Sequence, residues 1–425
     1  MPKRKPDIII FTLFRADNPY SSISIRLAKC WAKESRVFYI NPPFTYKDLW
    51  TMRHDPAMKA RNRDAILGKI QYEPYHEIPE NFISVIPPAI MPVNWLPEGS
   101  LYQWIWSRYN DQVIATIRQV INDHDIRDFI FFNCFNPYFA QELPADMAPL
   151  LHIYHCIDDI SQEPYTARHG VRLESEAVRK ADIVTVTAHQ LKRIYEKENP
   201  NIHILHNAVD ISTFRKATEK KLDRPKELEG IKGKIIGFTG NLDHVRIDYK
   251  LLKKVAQAHP DKTLVLVGPV NSREIYELGI DQLPNVVLTG SKPHEELPGY
   301  LQHFDCALIP FLCNKLTESI YPLKINEYLA AGKAVVSTSF SEDIKSFGKY
   351  IYLAQDQEDF LRLINQAIDE SNGRMFEERV NIALQNTWEA RVNEFWEIAG
   401  IYRPQLKNTF ASRMIQTENA GIDKK

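Results

Sequence analysis

Thr317-Glu318-Ser319-Ile320-Tyr321-Pro322-Leu323-Lys324-Ile325-Asn326-Glu327-Tyr328-Leu329-Ala330-Ala331-Gly332-Lys333 holds a proline and a glycine ten residues apart. Pro322 suits the first position of a helix and Gly332 its end, so Leu323–Ala331 reads as a helix of about two and a half turns. The start of such a helix presents uncancelled backbone N–H groups and the positive end of a dipole, which suits a diphosphate. Lys324 and Glu327 lie three residues apart on one face, so a cation and a hydrogen-bond acceptor point at one ligand, the first at phosphate and the second at ribose hydroxyls. The same spacing serves a solvent-exposed ion pair equally well, and the pattern by itself leaves both readings open.

Outward from this helix the same scheme repeats. Ile235–Thr239 is a hydrophobic strand that ends in Thr-Gly, followed by Asn241, a polar loop with Arg246, and a helix starting near Asp248. The loop amides and Arg246 can meet an anion, although Gly240 also suits a plain tight turn. Val286–Thr289 ends the same way in Gly290-Ser291, where backbone amides can read a base edge or simply close an ordinary turn into a helix. Further strands are expected near Ile8–Leu13, Val37–Ile40, Ile83–Ile86, Phe129–Phe132, Leu151–His155, Ile183–Thr187, His203–Leu205, Thr263–Val267, Cys306–Ile309, Ala334–Ser337 and Tyr350–Leu353. Helical stretches lie between them, at Ser22–Lys33, Tyr109–His124 and Arg172–Lys180, which is the pattern of parallel sheets covered by helices. Residues 208–233, with the charged run Lys216–Glu229, read as a linker between two α/β domains. Two helices, Gln357–Ser371 and Phe376–Ala399, close the chain, and 403–425 reads as a loose tail.

The composition is that of an ordinary globular chain: 425 residues, 44% hydrophobic and 25% charged. With 53 basic and 54 acidic side chains there is no global attraction to nucleic acid. No apolar run approaches the roughly 20 residues of a spanning helix, and no signal-peptide core follows Met1–Pro6, so a cytoplasmic location is expected. Five scattered cysteines read as buried, reduced thiols. Only Gly68, Gly99 and Gly170 precede residue 230, so a loop that brings backbone against phosphate belongs to the second half, and an N-terminal Gly-x-Gly-x-x-Gly dinucleotide fold is excluded.

Taken together, Ile236–Asn241, Leu264–Pro269, Asn285–Gly290, Phe304–Phe311 and above all Pro322–Thr338 resemble the C-terminal half of GT-B glycosyltransferases of the retaining family 4 (group 1) type, the bacterial surface-polysaccharide class. Ala181–Thr187 and His206-Asn207-Ala208-Val209-Asp210 extend the resemblance weakly into the first half. It implies two Rossmann-like parallel-sheet domains facing across a cleft: 1–207 for the acceptor, 234–375 for a nucleotide sugar, and 376–402 as a C-terminal helix returning to the first domain. It implies that Glu327 holds the donor ribose, and that Arg246 stands where the family has a lysine on the diphosphate. Asn241 replaces a commoner arginine. Gly240, Gly290, Ser291, Pro322, Leu323 and Lys324 complete the implied donor site. The family's first glutamate falls at Ser319, with Glu318 the nearest carboxylate. His155, with Asp158 beside it, matches the strand end that carries an active-site histidine, and a histidine merely packed at a strand end is the other reading. The family type implies no metal or other cofactor, only a UDP- or GDP-type sugar as co-substrate, and Asp158-Asp159 is not an Asp-x-Asp motif.

In the first half, Tyr46–Lys69 carries Lys47, Arg53, Lys59, Arg61, Arg63 and Lys69, and Met91–Tyr109 carries Trp95, Tyr102, Trp104, Trp106 and Tyr109. Basic and aromatic side chains together suit contact with an anionic inner membrane and a lipid-linked acceptor, while an insertion whose aromatics pack on the core fits the same pattern. The expected activity is sugar transfer from a nucleotide-diphosphate donor to a saccharide or lipid-linked acceptor. A nucleotide-sugar 2-epimerase and a non-catalytic nucleotide-sugar-binding scaffold stay as alternatives on the same architecture.

Overall fold

Asp7-Ile8-Ile9-Ile10-Phe11-Thr12 is apolar on both faces, and such a strand is stable only inside a sheet covered on both sides. In the computed structural model, which describes residues 5–17, 22–54, 64, 66–74, 80–370, 373 and 375–407, these residues form a wholly buried central strand. The described chain forms two units: one from 1–187, 191–205 and 391–425, the other from 188–190 and 206–390.

The first unit is built on eight strands: β1 (Asp7–Thr12), β2 (Val37–Ile40), β3 (Gln71–Pro74), β4 (Phe82–Ile86), β5 (Phe129–Cys134), β6 (Leu151–Cys156), β7 (Ile183–Val186) and β8 (Ile202–Ile204). Their order is β3-β4-β2-β1-β5-β6-β7-β8, parallel except for β3, which runs antiparallel at the edge. Ile9, Phe11, Phe38 and Phe131 meet Val113, Ile117 and Val120 of the helix Ser100–Asp123 on one side of the sheet. On the other side Trp31 packs edge-on against Phe132 and Phe395, at ring distances of 5.0 and 4.7 Å. Phe395 lies on the helix Trp388–Tyr402, whose Trp396 donates to Glu34 and whose Tyr402 bonds His203.

The second unit has six parallel strands, β9 (Ile235–Thr239), β10 (Thr263–Val267), β11 (Val286–Gly290), β12 (Cys306–Ile309), β13 (Val335–Thr338) and β14 (Tyr352–Ala354), in the order β11-β10-β9-β12-β13-β14. That is the doubly wound order with its reversal between β9 and β12, the place where such sheets take ligands. Those two strands pair only through Ile236 and Gly237, so their C-terminal ends part there.

Several elements differ from the sequence reading. The edge strand β3 is additional: Gln-Tyr-Glu-Pro has no apolar alternation to announce it. The helix expected at Tyr109–His124 begins at Ser100, and that expected at Arg172–Lys180 begins at Pro164. The single helix expected at Phe376–Ala399 is two, Met375–Leu384 and Trp388–Tyr402, parted where Val209 pairs with Thr387 and its N–H donates to Asn386. The charged stretch read as a linker packs on the second unit: Leu228 is buried, Glu227 bonds Lys292 and Tyr300, and Gln302 holds the Leu222 amide. The tail begins packed, with Arg403 donating to the Leu150 carbonyl and Leu406 buried; 408–425 lie outside the described residues. Cys134, Cys156 and Cys306 are buried thiols and Cys30 is half-buried, but Cys313 is exposed.

Candidate functional site

The helix that the sequence placed at Leu323–Ala331 runs from Leu323 to Ala330. Pro322 is its N-cap rather than its first helical residue, and no side chain caps it. The Ile325 N–H donates to the Pro322 carbonyl at 3.1 Å, and the N–H groups of Leu323 and Lys324 at the helix start retain their capacity for an anion. Tyr328, one turn beyond Lys324, ties the helix to the end of β9 by accepting the Thr239 N–H at 2.9 Å.

Lys324 lies along this junction. Its stem crosses Gly240, where a Cβ would overlap the Lys324 Cε, and its ammonium stands 5.9 Å from the centre of the Phe238 ring. Among the described residues the ammonium makes neither a hydrogen bond nor an ion pair. Burial pushes its pKa below the ordinary lysine value; Glu327 and Asp243 partly counter that shift and Arg246 adds to it. A half-buried cation without a carboxylate in ion-pair contact carries a cost in the free protein and is poised for an incoming anion.

Glu327 is 8% exposed and its Oε1 lies 3.9 Å from Nε2 of His294, which overturns the reading of Lys324 and Glu327 as a solvent-exposed ion pair. His294 in turn meets the Phe214 ring edge-on at 5.0 Å. Arg246 is held by a turn in which Asp243 accepts its backbone N–H at 2.9 Å, and its guanidinium stays 43% exposed.

Two amides of the loop after β9 are bonded within the sheet. Gly240 donates to Val267, Leu242 to Pro269 and Gly268 to Gly290, so the strand ends are laced to one another. The N–H groups of Gly240 and Leu242 are therefore committed to the neighbouring strand end. Asn241 bonds Asn271 at 2.9 Å, and Ser291, beyond Gly290, is exposed. Gly268 is a site residue the sequence reading passed over, although Val267-Gly268-Pro269 carries the same strand-then-glycine signal as positions 240 and 290. His294 and Tyr328 had no such signal.

Glu318 ends a one-turn helix, Lys315–Glu318, and is exposed, whereas Ser319 is buried with its hydroxyl on the Lys315 carbonyl. In the first unit His155 is 1% exposed on β6, with Nδ1 2.9 Å from the Thr185 hydroxyl and Nε2 without a partner. Burial lowers its pKa to about 4, so the ring is neutral at physiological pH. Asp158 is partly exposed two residues after the strand.

The aromatic residues of the first unit divide. Tyr102 is buried and stacked on His169 at 3.9 Å, and Trp106 donates to the Tyr138 carbonyl, both packed as core. Trp95 and Trp104 are instead 64% and 60% exposed and line, with Met91, Leu101, Arg108 and Tyr109, an apolar pocket of about 560 Å³. Trp50, 69% exposed, lies on the helix Tyr46–Thr51, whose Tyr46 donates to Ile90 beside Met91. Lys59, Arg61 and Arg63 lie outside the described residues. Among the described residues no helix is long and apolar enough to cross a membrane.

Residues 233–370 match the family described as "Glycosyl transferases group 1", and the second unit carries a domain of that family. A relative from Bacillus subtilis (strain 168), described provisionally as the teichuronic acid biosynthesis glycosyltransferase TuaH, is 27% identical over 239 residues, 54% of this chain and 59% of that protein. The match thus spans less than two thirds of that relative. Among solved structures, sucrose-phosphate synthase from Thermosynechococcus elongatus aligns over 95% of this chain and all of its own at TM-score 0.64 and 14% identity. HepE of Anabaena, in complex with UDP and glucose, aligns over 92% of this chain and 98% of its own at TM-score 0.59 and 15% identity. The fold is GT-B.

Proposed function

We propose that this chain is a glycosyltransferase that moves a sugar from a nucleoside-diphosphate donor to a saccharide or lipid-linked acceptor in cell-surface polysaccharide synthesis. The observation that supports the donor half is a half-buried Lys324 ammonium, without a hydrogen bond or ion pair among the described residues, beside an uncapped helix start at the strand-order reversal, with the Glu327 carboxylate one turn on. Lys324, Arg246 and the first-turn amides stabilise the diphosphate as it leaves, which is where charge develops in transfer. Glu327 accepts from the ribose hydroxyls. UDP or GDP is the base class, in keeping with the UDP held by HepE, and retention follows the family. His155, neutral and with an unpartnered Nε2, and Asp158 serve the acceptor side; Glu318 serves the donor sugar. No metal enters the transfer step.

The acceptor is lipid-linked in this reading, and the tryptophan-lined pocket takes its tail while Arg53 and Arg108 meet an anionic bilayer surface. Tryptophan suits the boundary between headgroup and acyl chain, and arginine suits the phosphates there. The direct test supplies UDP- and GDP-sugars with and without a bacterial lipid extract in anionic vesicles, following nucleotide release. Release that depends on the lipid extract and falls at least about tenfold (roughly 1.4 kcal/mol) in Trp95→Ser/Trp104→Ser is the expected result. Conversion of the sugar without any acceptor would instead indicate an epimerase, and binding without turnover a scaffold.

A further inference from the structure

Three side chains of the second unit, His189, His206 and Asp343, converge. His189 Nδ1 lies 2.8 Å and His206 Nδ1 3.7 Å from Oδ1 of Asp343, and the three ligand atoms all fall within 4.8 Å of one another. Asp343 is 1% exposed, and among the described residues no lysine or arginine stands within ion-pair distance of it. Its second oxygen accepts the His189 backbone N–H at 3.1 Å, which fixes the carboxylate plane. Among the described residues the side chains that meet this buried carboxylate are two imidazoles, which leaves it short of the positive charge that burial calls for. A dication supplies it, and neutral imidazole with carboxylate is a ligand set that zinc favours. Tetrahedral zinc with bonds of about 2.1 Å sets its ligand atoms about 3.4 Å apart. The observed 2.8 and 3.7 Å bracket that value.

We propose that His189, His206 and Asp343 form a binding site for one divalent transition-metal ion, with zinc as the first choice. The ion is positional and takes no part in bond making. Its side chains come from three separate segments: the start of the helix His189–Tyr195, the residue after Leu205, and the short helix Glu342–Ser346. His206 also stacks on Tyr321, with ring centres 4.4 Å apart and planes at 21°, and Asn207 donates to the Tyr321 carbonyl. Tyr321 immediately precedes Pro322, the cap of the Lys324 helix. Metal at this cluster therefore braces the approach to that helix. Only this bracing rests on the donor-site reading; binding of the ion does not.

The test uses untagged full-length protein, stripped by a chelator and dialysed against zinc chloride without nucleotide, with bound metal measured directly. One zinc per chain is expected, with affinity falling by about tenfold or more in His189→Asn and in His206→Asn. Both positions are partly exposed, so the variants fold, as circular dichroism would verify. Cobalt is the second readout, giving in the wild type the visible absorption of a low-coordinate nitrogen and oxygen site that both variants lose. Zinc retained undiminished in the histidine variants overturns the proposal. So does zinc lost only in Cys313→Ser, which would assign it to the exposed thiol, or no zinc taken up at free concentrations on the order of tens of micromolar.

Discussion

Replacing Lys324 with methionine is expected to slow sugar transfer by about 10²–10³-fold in turnover, while leaving the protein as stable as before or more so. The two directions come from one cause. The ammonium is partly buried with no partner, and burial already lowers its pKa. In the free protein the charge is a cost, and the methionine stem keeps the packing over Gly240 without it. In the donor complex the same charge faces the leaving diphosphate, where a preorganised cation acts with little screening by water. Transfer assays beside urea unfolding distinguish this from general damage: activity falls and the unfolding midpoint holds or rises. A variant that loses activity and stability together would make Lys324 a structural residue.

Gly268→Ala is expected to unfold the second unit's ligand edge, at a cost of about 3–5 kcal/mol. Gly268 has φ +148°, a conformation that side-chain-bearing residues rarely adopt, and a Cβ there would overlap the Gly240 carbonyl oxygen. That obstacle is backbone, laced between β9, β10 and β11 by the bonds from Gly240 to Val267 and from Gly268 to Gly290. It cannot swing aside as a flexible side chain would. Gly279→Ala is the control: its φ of +64° is also positive, but a Cβ there meets nothing within 4 Å. It should cost about 1 kcal/mol. Denaturant unfolding of both variants reads the difference, and equal costs would show that the close approach of the strand ends contributes nothing.

The donor helix was legible because proline and glycine punctuate it, and the strands because their apolar runs are short and bounded by polar turns. Gln71–Pro74 was not, since only Tyr72 of this short edge strand packs on the core and its polar neighbours leave no apolar alternation. The start of the helix Ser100–Asp123 was obscured because Trp104 faces solvent while Tyr102 and Trp106 pack inward, so the aromatic spacing does not follow a single face. In the site, residue types and spacing pointed to Lys324 and Glu327. Their neighbours could not be read in advance: His294 reaches Glu327 from a segment more than thirty residues upstream, and Tyr328 meets Thr239 across 89 residues of chain. The partner of the Gly240 N–H was hidden for the same reason, because it is the carbonyl of Val267 in the next strand.

In the proposed reaction the second unit binds a nucleoside diphosphate through Lys324, Arg246 and Glu327. Calorimetric titration of UDP and GDP into the wild type and Glu327→Ala, with folding of the variant checked, reads that binding without any acceptor. Binding of one of the two, weakened at least about tenfold (roughly 1.4 kcal/mol) by the substitution, is the predicted result. Neither nucleotide binding to the folded wild type, or Glu327→Ala binding as tightly as the wild type, would contradict it.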